Sequence, residues 1–180
     1  MPDGRGGYKS EARSAILRAC TQAYRLPANR GDCNKFVKAV VNIATGGTVK
    51  FPDDANANTI CGLIQKDPWT PLKVTGLDGV GTSKIAGLMA ALEGKLVIVG
   101  WSNAGGNGHV AIVLDLTSSK KPPKPDAESG IGQLLRNRAV IAAGQLGHPE
   151  NSKTYMKISS DGGFAENKLK EAVFGYVDIA

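Results

Sequence analysis

KLVIVGWSNAGGNGHVAIVLDL, residues 95–116, decides the fold. Two aliphatic, β-branched runs, Lys95 to Trp101 and His109 to Leu116, flank the loop Ser102-Asn103-Ala104-Gly105-Gly106-Asn107-Gly108. That is the pattern of two strands joined as a hairpin. Downstream, a polar, proline-containing excursion from Ser118 to Gly130 separates the hairpin from three further strand candidates. These are Arg138 to Gln145, Thr154 to Ile158 and Ala172 to Val177.

Upstream the periodicity is helical. In Glu11 to Tyr24, Ala15, Ile16, Ala19, Cys20 and Ala23 recur at three- and four-residue steps. Pro27, Asn29 and Gly31 mark a loop, and Asp32 is placed to cap a second helix from Cys33 to about Thr45. Its stripe is Cys33, Phe36, Val37, Val40, Val41 and Ala44, and Gly46-Gly47 stops it. A third helix-like stretch runs from Pro52 through Ile64, closed by Asp67-Pro68. Trp69 to Gly81 is turn-rich, and Ser83 to Leu92 reads as a short helix of small residues. Helices first and strands afterwards predict one α+β domain over residues 1–180, with the helices packed on an antiparallel sheet of about five strands.

Composition narrows the function. No apolar stretch approaches the ~18 residues of a membrane span, and Met1 to Ser10 lacks the apolar core of a secretory signal. The net charge of +6 favours a polyanionic partner such as nucleic acid, an anionic surface or bacterial cell wall. Basic residues are scattered, however, and aromatics do not alternate with them as in a single-strand-binding groove, so nucleic acid is not expected. Three cysteines without a C-x-x-C pair argue against a disulfide framework, although a Cys20–Cys61 bridge would leave Cys33 free. With His109 and His148 the only histidines, no metal-site spacing exists, and neither a metal nor a cofactor is expected.

Cys33 falls in the first turn of its helix, where unpaired N–H groups and the helix dipole favour a thiolate nucleophile. Asp32 opposes this as a neighbouring negative charge, and a purely structural reading has Cys33 opening the buried stripe. His109 opens a strand on which Ala111 and Val113 share its face. Such small neighbours leave room for another element to bring a reactive group to the imidazole; the alternative is a core histidine. His148, before Pro149 in a polar turn, reads as a surface residue. A cysteine at a helix start, followed later by a histidine opening a sheet strand, is the chain order of papain-like hydrolases.

The motifs are more specific. Gly31-Asp32-Cys33-Asn34-Lys35-Phe36-Val37 resembles the nucleophile motif of NlpC-type peptidoglycan peptidases, and Gly108-His109-Val110-Ala111-Ile112-Val113 resembles their histidine strand. From about Ala15 to Gln145 the chain is similar to the small type VI secretion amidase effectors. The match includes Pro52 through Asn58 with Asn56-Ala57-Asn58, Trp69-Thr70 with Leu72, and Leu96-Val97-Ile98. The resemblance implies a papain-like fold and an antibacterial toxin made in the cytoplasm and injected into a competitor's periplasm. There it would cut an amide bond of the peptidoglycan stem peptide, between D-glutamate and diaminopimelate. It also implies a secretion machine and a cognate immunity protein as partners; a membrane partner is not expected, since no apolar stretch is long enough to span one.

One position departs from that pattern. The family carries a polar or thiol side chain on the strand after the histidine strand, where it orients the imidazole. Here that strand reads Ala139-Val140-Ile141-Ala142-Ala143-Gly144-Gln145, which leaves Gln145 as the nearest polar candidate. Asp115 lies about 20 Å along the strand from His109, too far to serve. Two other functions remain open on the residues alone: a Cys–His deamidase or acyltransferase acting on protein, and a non-catalytic cell-wall or nucleic-acid binding module.

Overall fold

Asp32 and Asn56 decide where two of the helices begin. Asp32 is extended (φ −154°, ψ 112°), and its Oδ1 accepts the main-chain N–H groups of Asn34 at 2.8 Å and Lys35 at 3.1 Å. Such a cap contributes about 1 kcal/mol. Asn56 repeats the device at ψ −179°, accepting Thr59 N–H at 3.0 Å. The computed structural model, which describes residues 5–72, 90–91, 93–114, 140–144, 153–157 and 164–179, accordingly starts α3 at Cys33–Ala44 and α4 at Ala57–Leu63. The helix expected from Pro52 is thus shortened, because the extended backbone at Asn56 cannot be helical.

α1 spans Arg5–Arg25, and α2, Pro27–Arg30, is a single turn within the expected loop, with proline at the position a helix start tolerates best. The strands are β1 Thr70–Pro71, β2 Leu96–Trp101, β3 His109–Leu114, β4 Val140–Ala143, β5 Lys153–Lys157 and β6 Val173–Val177, with the short helix α5, Glu166–Glu171, before the last. They form one six-stranded sheet in the order β1-β6-β2-β3-β4-β5, antiparallel at every pairing. β1 contributes only two residues to it. The chain is therefore α+β, with its first four helices preceding an antiparallel sheet.

Both faces of the sheet are covered. On one, α1, α3 and α4 bury Ile16, Cys20, Phe36, Val40, Ile60 and Ile64 against Leu96, Ile98, Val110 and Ile112. Phe36 is fully buried, and a side chain of its kind stabilises by about 1.5–3 kcal/mol. On the other face, Val97, Val99, Ala111 and Val113 pack under Phe164, Leu169 of α5 and the helical pair Ala90 and Ala91. Two-sided burial explains why β2 and β3 read as unbroken apolar runs rather than as alternating ones. α5 is held to the end of β2 by Glu171, which accepts the Trp101 indole N–H at 3.1 Å, and by Lys168, 4.4 Å above the Trp101 ring. No helix among the described residues is long and apolar enough to cross a membrane.

Candidate active site

α3 meets the sheet through its N-terminus. The β3–β4 ladder pairs Leu114 with Val140, Val113 with Ile141 and Ile112 with Ala142. Beyond that last pair the two strands meet α3 instead. The Val110 N–H acts on the Cys33 sulfur, and Gly144 packs on the carbonyls of Asn29 and Asp32. A Cβ at position 144 would sit 2.8 Å from the Asp32 oxygen and closer still to that of Asn29, so the approach requires glycine. At this seam α3 places Cys33 beside Val110 of β3, one residue past His109, and Asp32 under Gly144, the residue after β4.

The sulfur is 4% exposed as part of its residue, and it opens on a cleft of about 40 Å³. The walls are Cys33 and Asn34 of α3, residues 56–58 at the start of α4, and residues 106–108 of the hairpin loop. Asn34 Oδ1 lies 3.5 Å from the thiol. A wider groove of about 440 Å³ follows α1 at Leu17, Arg18, Thr21, Gln22 and Arg25, but offers neither thiol nor imidazole.

Burial pushes the Cys33 thiol up to about 11, the Asp32 carboxylate adds to the rise, and the N–H groups of Val110 and Asn34 oppose it. The thiolate expected at a helix start is therefore not the resting form at neutral pH: desolvation outweighs the helix terminus. Cys61 is pushed up to about 12 by burial and by its proximity to Cys33, and Cys20 to about 12 by burial alone. All three cysteines are free thiols, so the Cys20–Cys61 bridge does not form.

His109 is the first residue of β3, opposite Trp101 in the ladder. Its imidazole lies 4.8 Å from the Phe164 ring, tilted by 53°, and its Nε2 is shielded from solvent. Strand alternation puts this side chain with Ala111 and Val113, on the face that Phe164 covers, whereas α3 covers the other face. The expectation that Ala111 and Val113 leave room for another element to bring a reactive group to the imidazole is corrected: Phe164 covers that face, and Cys33 lies by Val110. Gln145, His148 and Asp115 lie outside the described residues.

One residue of the site went unrecognised as such in the sequence. Asn58 is joined by its side chain to the loop that precedes His109: Nδ2 donates to Asn103 O at 2.9 Å and Gly106 O at 3.1 Å, while Oδ1 accepts Asn103 N–H at 2.8 Å and Ser102 Oγ–H at 3.2 Å. The available signal was the Asn56-Ala57-Asn58 motif itself, since the partners are 44 to 48 residues away along the chain. Among the described residues, no group of three or more His, Cys, Asp or Glu side chains is arranged to hold a metal ion. Comparison with protein-family models finds no match, and comparison with curated proteins finds none either.

Proposed function

We propose that the chain is a papain-like cysteine amidase of the NlpC type that hydrolyses an amide bond of the peptidoglycan stem peptide, between D-glutamate and diaminopimelate. The observation carrying this reading is the seating of Cys33, at a helix N-terminus and on a cleft, against the main chain next to His109. The motifs around the two residues supply the substrate class, and a net charge of +6 suits an anionic wall polymer.

Because Cys33 rests as a thiol, attack needs a base at the moment of reaction. In the proposed cycle, His109 takes the thiol proton as sulfur bonds to the amide carbonyl carbon. The developing oxyanion is met by the Cys33 N–H. Asp32 takes up the N–H groups of Asn34, Lys35 and Phe36, and that of Cys33 is not among them. Imidazolium then protonates the leaving amine as the C–N bond breaks, giving a thioester. Water, deprotonated by the same imidazole, releases the acid and restores the thiol. Asp32 thus caps the helix and raises the thiol pKa together, trading resting nucleophilicity for a fixed N-terminus.

In biological terms this is an antibacterial effector, delivered to a competitor's periplasm by a dedicated secretion machine and neutralised in kin by an immunity protein. Mass spectrometry of peptidoglycan fragments incubated with the protein tests the reading. A new amine on diaminopimelate and a free D-glutamate carboxyl are expected. Intact fragments alongside deamidated or acyl-transferred protein glutamine would replace it with the protein-modifying reading. Directed to the periplasm the protein should lyse cells, and retained in the cytoplasm it should be tolerated.

A further inference from the structure

We infer that Asn58 is a positioning residue for Cys33 and His109, acting through the loop of residues 102–108; this rests on reading those two residues as the working pair. The loop joins β2 to β3 and ends on Gly108, so its conformation fixes where His109 begins the strand and where Val110 presents its N–H to the sulfur. Three glycines in seven residues make it costly to order. Its own described ties are modest: Gly106 N–H to Asn103 O, and Gly105 N–H to Asn103 Oδ1, both at 3.2 Å.

Asn58 supplies the rest. Its side-chain amide binds both the N–H and the C=O of Asn103, as a neighbouring strand would, and reaches Gly106 and Ser102 as well. The platform behind it is rigid. α4 buries Ile60 and Ile64 in the core, and Cys61 Sγ lies where a Cβ on Gly100 would come within 2.5 Å. Gly108 is the closing contact: a Cβ there would meet both Asn58 Oδ1 and Trp101 O at 2.5 Å. Asn58 therefore sets the loop from one side and limits it to glycine at the residue before His109. It also lines the cleft, but the inferred role is exerted through His109 and Val110.

The test compares Asn58→Ala and Asn58→Asp with wild type and His109→Ala. The aspartate variant keeps the size and one acceptor but turns an oxygen toward the carbonyls of Asn103 and Gly106, and it carries the test should the alanine variant not fold. Two readouts are taken: kcat and KM on peptidoglycan fragments, and the pH profile of Cys33 alkylation by iodoacetamide, which needs no substrate. A displaced His109 should lower kcat on the order of 10²-fold with KM held within about twofold. The neutral-pH alkylation that depends on His109 should fall to the level of His109→Ala. Folded Asn58 variants with wild-type kcat and alkylation profile would overturn the inference, as would wild-type alkylation indifferent to His109. If wild type leaves peptidoglycan intact yet shows His109-dependent alkylation, the proposed substrate fails, and the alkylation profiles alone decide the role of Asn58.

Discussion

The Cys33 sulfur lies against the main-chain N–H of Val110, and His109 is the residue before it. Thiol and imidazole thus meet at one short piece of β3 backbone, approached on the helix side by α3, which carries the thiol, and overlaid on the other side by Phe164. In the proposed mechanism the proton passing between them goes round the beginning of β3 rather than through the sheet. Under the proposed mechanism both residues are needed, in different ways.

Cys33→Ala should bring hydrolysis below detection, because no covalent route remains. His109→Ala should lower kcat on the order of 10²- to 10⁴-fold, the usual worth of a general acid–base. Cys33→Ala should unfold near the wild-type temperature, since it removes one small side chain, whereas His109→Ala should unfold somewhat lower because its ring packs on Phe164. Substantial hydrolysis by Cys33→Ala would rule out the mechanism.

The three thiols should differ in reactivity. Iodoacetamide should label Cys33, which opens on the cleft, slowly at neutral pH with the help of His109, and faster as pH climbs toward about 11. Cys20 and Cys61, both pushed to about 12, should stay unlabelled until the chain is unfolded. Peptide mapping that finds Cys20 modified first would contradict the packing of α1.

Alkali should destabilise the fold through the same thiols. In the unfolded chain they titrate near 9.0, in the folded chain at about 12, 11 and 12. Each folded value is raised, so the unfolded state loses its protons first. Stability is full below pH 9 and declines as pH climbs toward about 11 to 12, by about 1.4 kcal/mol per pH unit for each thiol. Urea midpoints measured from pH 7 upward should fall in that window, and Cys20→Ala should flatten the decline. An unchanged slope in Cys20→Ala would refute the burial of that thiol.

Gly144→Ala should disturb α3 through its first turn. The added methyl meets main-chain oxygens of Asn29 and Asp32, which cannot swing away as a side chain would. A loss of about 1–3 kcal/mol is expected from such overpacking, together with reduced hydrolysis as the sulfur shifts from Val110. Thermal unfolding and turnover check it; a variant equal to wild type in both would show that the seam is loose.

The sequence is most legible where one signal acts alone. Cys33 through Ala44 reads directly, because Asp32 caps it, a clean apolar stripe fills it and Gly46-Gly47 ends it. β2 and β3 are equally plain from their aliphatic runs. α1 begins earlier than its stripe, since its first turns carry no periodic apolar residue to announce them. α5 goes unseen because six residues around a single buried leucine make too short a pattern. Strand order is hidden as well: β6 inserts between β1 and β2 through contacts remote in the chain, with Gly175 seated on Ile64. In the site, Cys33 and His109 announce themselves by residue type and neighbours. The grip of Asn58 on Asn103 does not, because an asparagine opening a helix looks like any other capping residue.

The protonated, enclosed state of Cys33 also bears on how long a working molecule lasts. Peroxide consumes cysteines in proportion to their thiolate character and exposure, climbing from sulfenic to irreversible sulfinic acid. A residue 4% exposed and held as thiol offers such oxidants little of either. On the proposed reading, such a protein can wait in an oxidising fluid with its chemistry unspent, to be drawn on when a substrate enters the asparagine-lined cleft.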